Sequence, residues 1–218
     1  MSADWVVHES HGDAGTFHAT DPLAGRSATF HTVMWPTLVV GSAQPDRDVD
    51  RRVADALGID VIRRRSGGGA VLLMPGEFVW LDLVIPVDDP LWLADVAQAM
   101  VWVGALWQRA FGELNVNGDV YSGGLVTTEW SRQVCFAGVG TGEVTAGASK
   151  LVGVSQRRTR EYARFQSMCH LRWRPEVVAA LVATPRPTAT AIAAAAAEVA
   201  VDDVQLRSTL VHLLPALP

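Results

Sequence analysis

Residues 63–71, Arg-Arg-Arg-Ser-Gly-Gly-Gly-Ala-Val, set three consecutive glycines between two short apolar runs, and this segment constrains the fold more tightly than any other. The runs at 59–63 and 70–73 have the β-branched and aliphatic content of strands, so Ser66 to Gly69 reads as their connection. Glycines allow backbone angles closed to other residues and let a ligand approach the main chain closely. Their successive N–H groups, with arginines beside them, make a nest for an anion or a polarised carbonyl. The pattern is neither Gly-x-Gly-x-x-Gly nor Gly-Lys-Ser/Thr, so the common nucleotide phosphate loops do not describe it. Taken alone, the segment is equally a glycine-rich hairpin turn with a solvated, arginine-bearing strand end.

Around this loop the chain reads as strands with a few packed helices. Residues 1–30 are polar, broken by Gly12, Gly15, Pro22 and Gly25, and read as loop. Strands are expected at 30–35, 37–40, 59–63, 70–73, 78–85, 134–136, 150–156 and 164–173. A helix over 46–57 carries Val49, Val53, Ala56 and Leu57 and stops at Gly58. A longer one is expected from a cap at Asp88 or Asp89, with Pro90 in its first turn, to about Phe111. Its Trp92, Val96, Ala99, Val103, Leu106 and Trp107 form a face suited to a core. Residues 118–124 read as a loop. The alanine-rich stretches 175–183 and 189–214 read as helices separated at Pro185–Pro187, with 193–197 a low-complexity helix of no functional content. This order gives an α+β fold rather than a regular βαβ alternation. At 218 residues the chain suits one domain, with a core over about 31–173 and a helical segment over 175–218.

Composition narrows the function. A net charge of −5 argues against a general nucleic-acid binder. The apolar stretch 96–108 is too short to cross a bilayer, and Met1-Ser2-Ala3-Asp4 has neither a basic region nor an apolar signal core, so a cytoplasmic protein with no membrane contact is expected. Two distant cysteines make no disulfide framework, and His8, His11, His18 and His31 lack metal-ligand spacing, so no metal is expected. The chain holds 17 arginines and one lysine, Lys150. Where arginine serves as the generic cation, a lone lysine marks a place that needs a compact, rotatable ammonium.

The glycine segment resembles, at all nine positions 63–71, the acyl-adenylate loop of lipoate–protein ligases. Upstream, Leu38-Val39-Val40-Gly41-Ser42-Ala43-Gln44-Pro45 resembles that family's strand and turn before its first helix. Downstream, Ser149-Lys150-Leu151-Val152-Gly153-Val154-Ser155-Gln156 resembles its Lys-(Ile/Val)-x-Gly-x-Ala segment. The resemblance implies the catalytic domain shared by biotin and lipoate ligases, a mixed, mostly antiparallel sheet with flanking helices around an acyl tunnel, without the accessory domain of longer ligases. It implies that Lys150 contacts the acyl carbonyl or phosphate and stabilises developing charge. It also implies a substrate-binding set of Arg64, Ser66, Gly67, Gly68, Gly69, Leu73, Gly153 and Ser155. The Gly-Arg-Gly-Arg loop usual for biotin is missing.

Two departures bear on the chemistry. The His-Asp pair that ligases place after the loop is replaced by Leu73 and Met74, and their Asn-Asp pair by Gly138 and Val139. Instead, Cys135-Phe136 stands fifteen residues before Lys150, similar in type and spacing to the Cys-Phe of lipoate-ligase-like octanoyl- and amidotransferases. Glu77-Phe78-Val79-Trp80 is similar to their Glu-Leu-Thr-Tyr. An ammonium near Cys135 would favour the nucleophilic thiolate; the competing reading is a small buried hydrophobe beside Val134 and Phe136. Cys169 reads as core. Arg157, Arg158, Arg160 and Arg164 read either as the rim of a docking site or as a solvated strand face. The expectation is therefore a lipoyl or octanoyl transferase acting on a lysine of a carrier domain through a Cys135 thioester. Its alternatives are an ATP-dependent lipoate–protein ligase working through an acyl-adenylate, and a non-catalytic acyl-binding module. No tightly bound cofactor is implied: lipoate or an octanoyl group is substrate, with ATP and Mg in the ligase case. The implied partners are lipoyl carrier domains of 2-oxoacid dehydrogenase or glycine cleavage proteins and acyl carrier protein.

Overall fold

The computed structural model describes residues 5–22 and 24–214. The N-terminal residues 1–4 read above for a signal, Leu23, and the end of the expected tail at 215–218 lie outside the described residues. In chain order the elements are β1 (Val6–Gly12), α1 (Ala14–Ala19), β2 (Ser27–Val33), β3 (Thr37–Val40), α2 (Arg51–Ala56), β4 (Asp60–Arg63), β5 (Val71–Leu73), β6 (Phe78–Pro86), α3 (Val96–Glu113), β7 (Asp119–Val120), β8 (Val144–Ala146), β9 (Ser149–Arg158), β10 (Tyr162–His170), α4 (Pro175–Leu181), α5 (Ala189–Ile192) and α6 (Asp203–Leu213). A seven-stranded sheet runs β1-β2-β6-β10-β9-β8-β7, and a three-stranded sheet runs β4-β3-β5. Pairs are antiparallel except β1 with β2 and β3 with β4, which gives the expected mixed, mostly antiparallel α+β architecture.

The near-continuous apolar run Phe78–Pro86 takes the position such a run demands, between β2 and β10 with both faces covered. On one face Val79, Leu81 and Leu83 pack under α3, whose Ala99, Val103, Leu106, Trp107, Ala110 and Phe111 recur at helical spacing, and α6 adds Leu206, Leu210 and Leu213. Polar atoms in this layer find partners: Trp107 Nε1 donates to Ser167 Oγ at 2.9 Å, and that hydroxyl donates to Leu81 O at 2.9 Å. Alternation sends Trp80 and Asp82 to the opposite face. There Val39 of β3 and Leu73 of β5 pack with Trp80, and the site lies between the two sheets.

Several expectations change where distant partners override local signals. Within 1–30 the described residues form β1, α1 and the start of β2 rather than one loop. β1 lacks apolar alternation because it is an edge strand, held by main-chain pairing and half-exposed. The long helix begins at Val96, with Asp95 Oδ1 accepting from Gln98 N at 3.0 Å, not at Asp88 or Asp89. Asp89 is taken by Arg26, whose Nε and Nη2 lie 2.8 and 2.7 Å from its carboxylate. Trp92 therefore precedes the helix, and Val96 is 54% exposed. The helix expected at 46–57 divides, because Val49 bridges to Val182. Residues 118–124 include β7. Residues 134–136 form a bridge at Val134 and a 3-10 turn, not a strand. The alanine-rich tail breaks after α5 into a 3-10 turn and an extended stretch, where Ala197 N donates to Lys150 O at 2.9 Å and Val199 N to His170 O at 2.8 Å.

The last of these strand residues, His170, packs on Phe136 and Trp173 with ring centroids 4.6 and 5.1 Å away. Burial pushes its imidazole down to about 4, and burial does the same to His18. An unfolded histidine titrates near 6.5, so as pH falls the unfolded chain gains the proton first. Stability is thus present above about pH 6.5 and falls by roughly 1.4 kcal/mol per pH unit per buried histidine down to about pH 4. Urea denaturation between about pH 7 and about pH 4.5 should show this loss, and His170→Phe should remove about half of the slope.

Candidate active site

A cavity of about 1130 Å³ lies between the sheets. Val39, Val71 and Leu73 line it from the small sheet; Trp80, Gly153, Ser155, Gln166 and Met168 line it from the large one. Of its lining, Leu125 is 75% exposed, whereas Trp80 and His18 are buried.

The glycine loop enters as wall. Gly68 has φ +95°, a left-handed conformation that glycine adopts without strain, and a Cβ on Gly69 would lie 2.7 Å from Val134 N. That close approach is sealed by Ala70 N donating to Gln133 O at 2.8 Å and Cys135 N to Ala70 O at 3.0 Å. Cys135 is thereby docked on the loop. Arg64 is buried beneath: Nη1 donates to Val39 O at 3.2 Å, and Nη2 to Gly67 O and Gly69 O at 2.7 and 2.8 Å. With carbonyls turned to Arg64, the N–H groups of Gly67, Gly68 and Gly69 donate no hydrogen bond among the described residues. Arg64 Nη2 also faces Cys135 Sγ at 3.9 Å.

Lys150 is 2% exposed and lines the same cavity. Its ammonium lies 2.8 Å from both carboxylate oxygens of Glu143, donates to Cys135 O at 3.0 Å and sits 5.1 Å over the Phe136 ring. The ammonium thus grips the main chain of Cys135, while the cation facing the thiol is Arg64. Glu143 is fixed in turn by Gly140 N, which donates to Oε2 at 2.6 Å.

Cys135, Lys150, Arg64, Gly67, Gly68, Gly69, Leu73, Gly153 and Ser155 come together on one cavity. Ser66 does not line it: its carbonyl accepts from Ser42 N at 2.9 Å and its Oγ is buried without a partner. Cys169 lies in the core, its thiol pushed up to about 12 by burial. Three of the four arginines are engaged within the fold, and Arg160 is exposed. Arg164 is buried on Asp82, Arg157 bonds Asp21, and Arg158 holds Leu93 O and Ala94 O. Among the described residues no group of three His, Cys, Asp or Glu is placed to hold a metal ion. No helix among them is long and apolar enough to cross a membrane.

Glu143, His18 and Gln166 were missed. Glu143 had a signal: it is the carboxylate nearest in sequence to a lysine placed on an apolar strand, and a buried ammonium needs a counter-charge. The other two had none, since only the packing of α1 on Trp80 and the register of β10 bring them to the cavity.

The lipoyl protein ligase A/B catalytic domain family matches residues 19–202, and this chain belongs to that family. It is 28% identical over 135 residues to octanoyltransferase LipM of Carboxydothermus hydrogenoformans, covering 61% of this chain and 48% of that protein. It is 27% identical over 125 residues to octanoyltransferase LipM of Moorella thermoacetica, covering 56% and 45%. The chain spans about half the length of these curated relatives. Among solved structures, lipoate-protein ligase A bound with ATP superposes with a TM-score of 0.69 at 16% identity, over 96% of this chain and 83% of that one. The bipartite lipoate protein ligase of Thermoplasma acidophilum, described together with its E2 lipoyl domain, gives 0.69 at 15% identity, over 94% and 80%. At these identities the likeness establishes the fold.

Removing one partner of a buried ion pair leaves an uncompensated charge. Glu143→Gln should lower unfolding stability by about 3–5 kcal/mol in urea titration, and Glu143→Leu combined with Lys150→Met should recover most of it.

Proposed function

We propose that this chain transfers a lipoyl or octanoyl group onto a lysine of a lipoyl carrier domain through a thioester on Cys135. The observation that carries the reading is the seat of the thiol: Sγ is on the cavity wall, 3.9 Å from a buried guanidinium, beside three uncommitted glycine N–H groups. In the first step the thiolate attacks the thioester carbonyl of an acyl carrier protein. The Cys135 C–S bond forms, the carrier C–S bond breaks, and the carrier leaves as a thiolate that takes a proton from solvent, to which Cys135 gave its own. In the second step the amine of the target lysine attacks. An amide forms, the C–S bond to Cys135 breaks, and the thiolate returns as the amine gives up a proton to solvent. Each step develops an oxyanion, for which the loop amides are the donors, in the field of the Lys150 ammonium that Glu143 and Cys135 O hold in place. Arg64, committed to carbonyls, stabilises the thiolate and shapes the loop.

The octanoyltransferase relatives and the ligase described together with its E2 lipoyl domain support a lipoyl domain, of a 2-oxoacid dehydrogenase or glycine cleavage protein, as acceptor. The protein acts in the cytoplasm, where both free cysteines stay reduced. The cavity volume favours one second reading, ATP-dependent lipoate ligation. About 1130 Å³ exceeds the roughly 300–1,000 Å³ usual for a small-ligand site and leaves room for an adenylate, with Mg arriving on the nucleotide.

Incubation with octanoyl-acyl carrier protein should give a hydroxylamine-labile adduct by intact mass, absent from Cys135→Ser. Lipoate-dependent pyrophosphate exchange that survives Cys135→Ser would instead establish the ligase, and acid binding with neither signal would leave an acyl-binding module.

A further inference from the structure

The cavity wall is polar where buried His18 and Trp80 line it. Strand register aligns Gly153 of β9, Met168 of β10 and Trp80 of β6. Trp80 therefore stands two strand spacings, roughly 10 Å, from the β9 wall near Lys150 and Cys135. That is the reach of an extended octanoyl chain. His18 of α1 covers Trp80 with ring centroids 4.8 Å apart, is 9% exposed, and lines the cavity. Its Nδ1 has no partner among the described residues. Beside it is Gln166, paired in register with Asp82 and Ser155. Gln166 Nε2 donates to Asp82 Oδ2 at 3.4 Å, which turns its carbonyl oxygen toward the imidazole. Asp82 also accepts from Arg164 Nε and Trp80 Nε1, both at 2.7 Å, so the amide orientation is fixed from behind.

Burial, reinforced by Arg64 and Arg164 and opposed by Asp82, pushes His18 down to about 4, so the ring is neutral near pH 7; its N–H faces the Gln166 carbonyl and Nδ1 is left as an acceptor. A methyl terminus cannot satisfy it. A plain alkyl chain ending here would be served better by an aliphatic residue at either position, because an unpaired buried polar atom is costly.

We propose that His18 and Gln166 form a polar terminus that selects acyl chains bearing a hydrogen-bonding distal atom, a hydroxyl or a thiol, over an alkyl chain of the same length. This rests on the acyl-transfer reading for the class of ligand and sharpens it to the far end of the chain. Octanoyl groups still enter, with the terminal polar atoms left unmet.

The test titrates octanoate, ω-hydroxyoctanoate and dihydrolipoate into the full chain by calorimetry, with His18→Leu and Gln166→Leu alongside and thermal melts to confirm folding. The two functionalised acids should bind the wild type about tenfold tighter than octanoate, and in either variant octanoate should gain until the ratio is about one. Equal affinities in the wild type, or a ratio unchanged by both substitutions, would overturn the inference while leaving Cys135 acylation untouched. Binding of none of the three would overturn the acyl cavity itself, and this inference with it. The wild-type ratio decides the question even where a variant fails to fold.

Discussion

An ammonium buried to 2% exposure is a costly object, since stripping a cation of water takes several kcal/mol that only close counter-charge restores. Lys150 meets that cost with Glu143 at 2.8 Å, and the pair then organises what surrounds it. The same ammonium holds the carbonyl of Cys135, and the same carboxylate holds Gly140 N. The carbonyl of Lys150 accepts from Ala197, so the C-terminal stretch is tied in as well. The Cys135 turn, the loop at Gly140, β9 and the distant C-terminal stretch thus converge on one charge pair. A guanidinium would not replace the lysine, because its planar fork cannot turn between a carboxylate and a carbonyl in so small a space.

Arg64 completes the electrostatics from the other side. Its charge is met by the carbonyl dipoles of Val39, Gly67 and Gly69 and by no carboxylate in hydrogen-bond contact among the described residues. Two buried cations and one carboxylate thus flank the Cys135 turn, and the balance is positive where a thiolate and an oxyanion would form. The loop glycines serve this arrangement twice. They let Arg64 collect carbonyls on one side, and they leave amides free on the other.

The features legible in the sequence had a single physical meaning. Three adjacent glycines between strand candidates permit few structures, and one lysine among seventeen arginines is hard to explain as a generic cation. The α+β class and the strands flanking the loop followed from patterning. What failed had several local meanings settled by distant residues. Asp89 is a good helix cap in isolation, but Arg26, 63 positions away, claims it and Asp95 caps instead. The alanine run at 193–197 has helical propensity, yet its main chain pairs beside β9 because Lys150 O offers an acceptor there. Cys135 reads as strand, and bonds to Ala70 bend it into a turn that presents the thiol.

The two faces of the large sheet obey different rules, and the difference locates function. On the α3 side, the indole of Trp107 and the hydroxyl of Ser167 satisfy each other and a main-chain carbonyl, as a core selected for stability requires. On the cavity side, His18 Nδ1 is buried without a partner among the described residues and lines the cavity, whereas His31, off the lining, approaches Asp82 Oδ2 to 3.1 Å with its Nε2. An apolar side chain of similar shape in place of His18 would pack on Trp80 without the desolvation penalty of that unpaired nitrogen. A buried polar atom that weakens the fold and faces a cavity fits an interaction whose other half is a ligand. On the proposed acyl-transfer reading the cavity is graded along one axis: positive charge gathers beside Cys135 and neutral, directional polarity beside Trp80, so that one groove would position the carbonyl and read what lies at the other end of the chain.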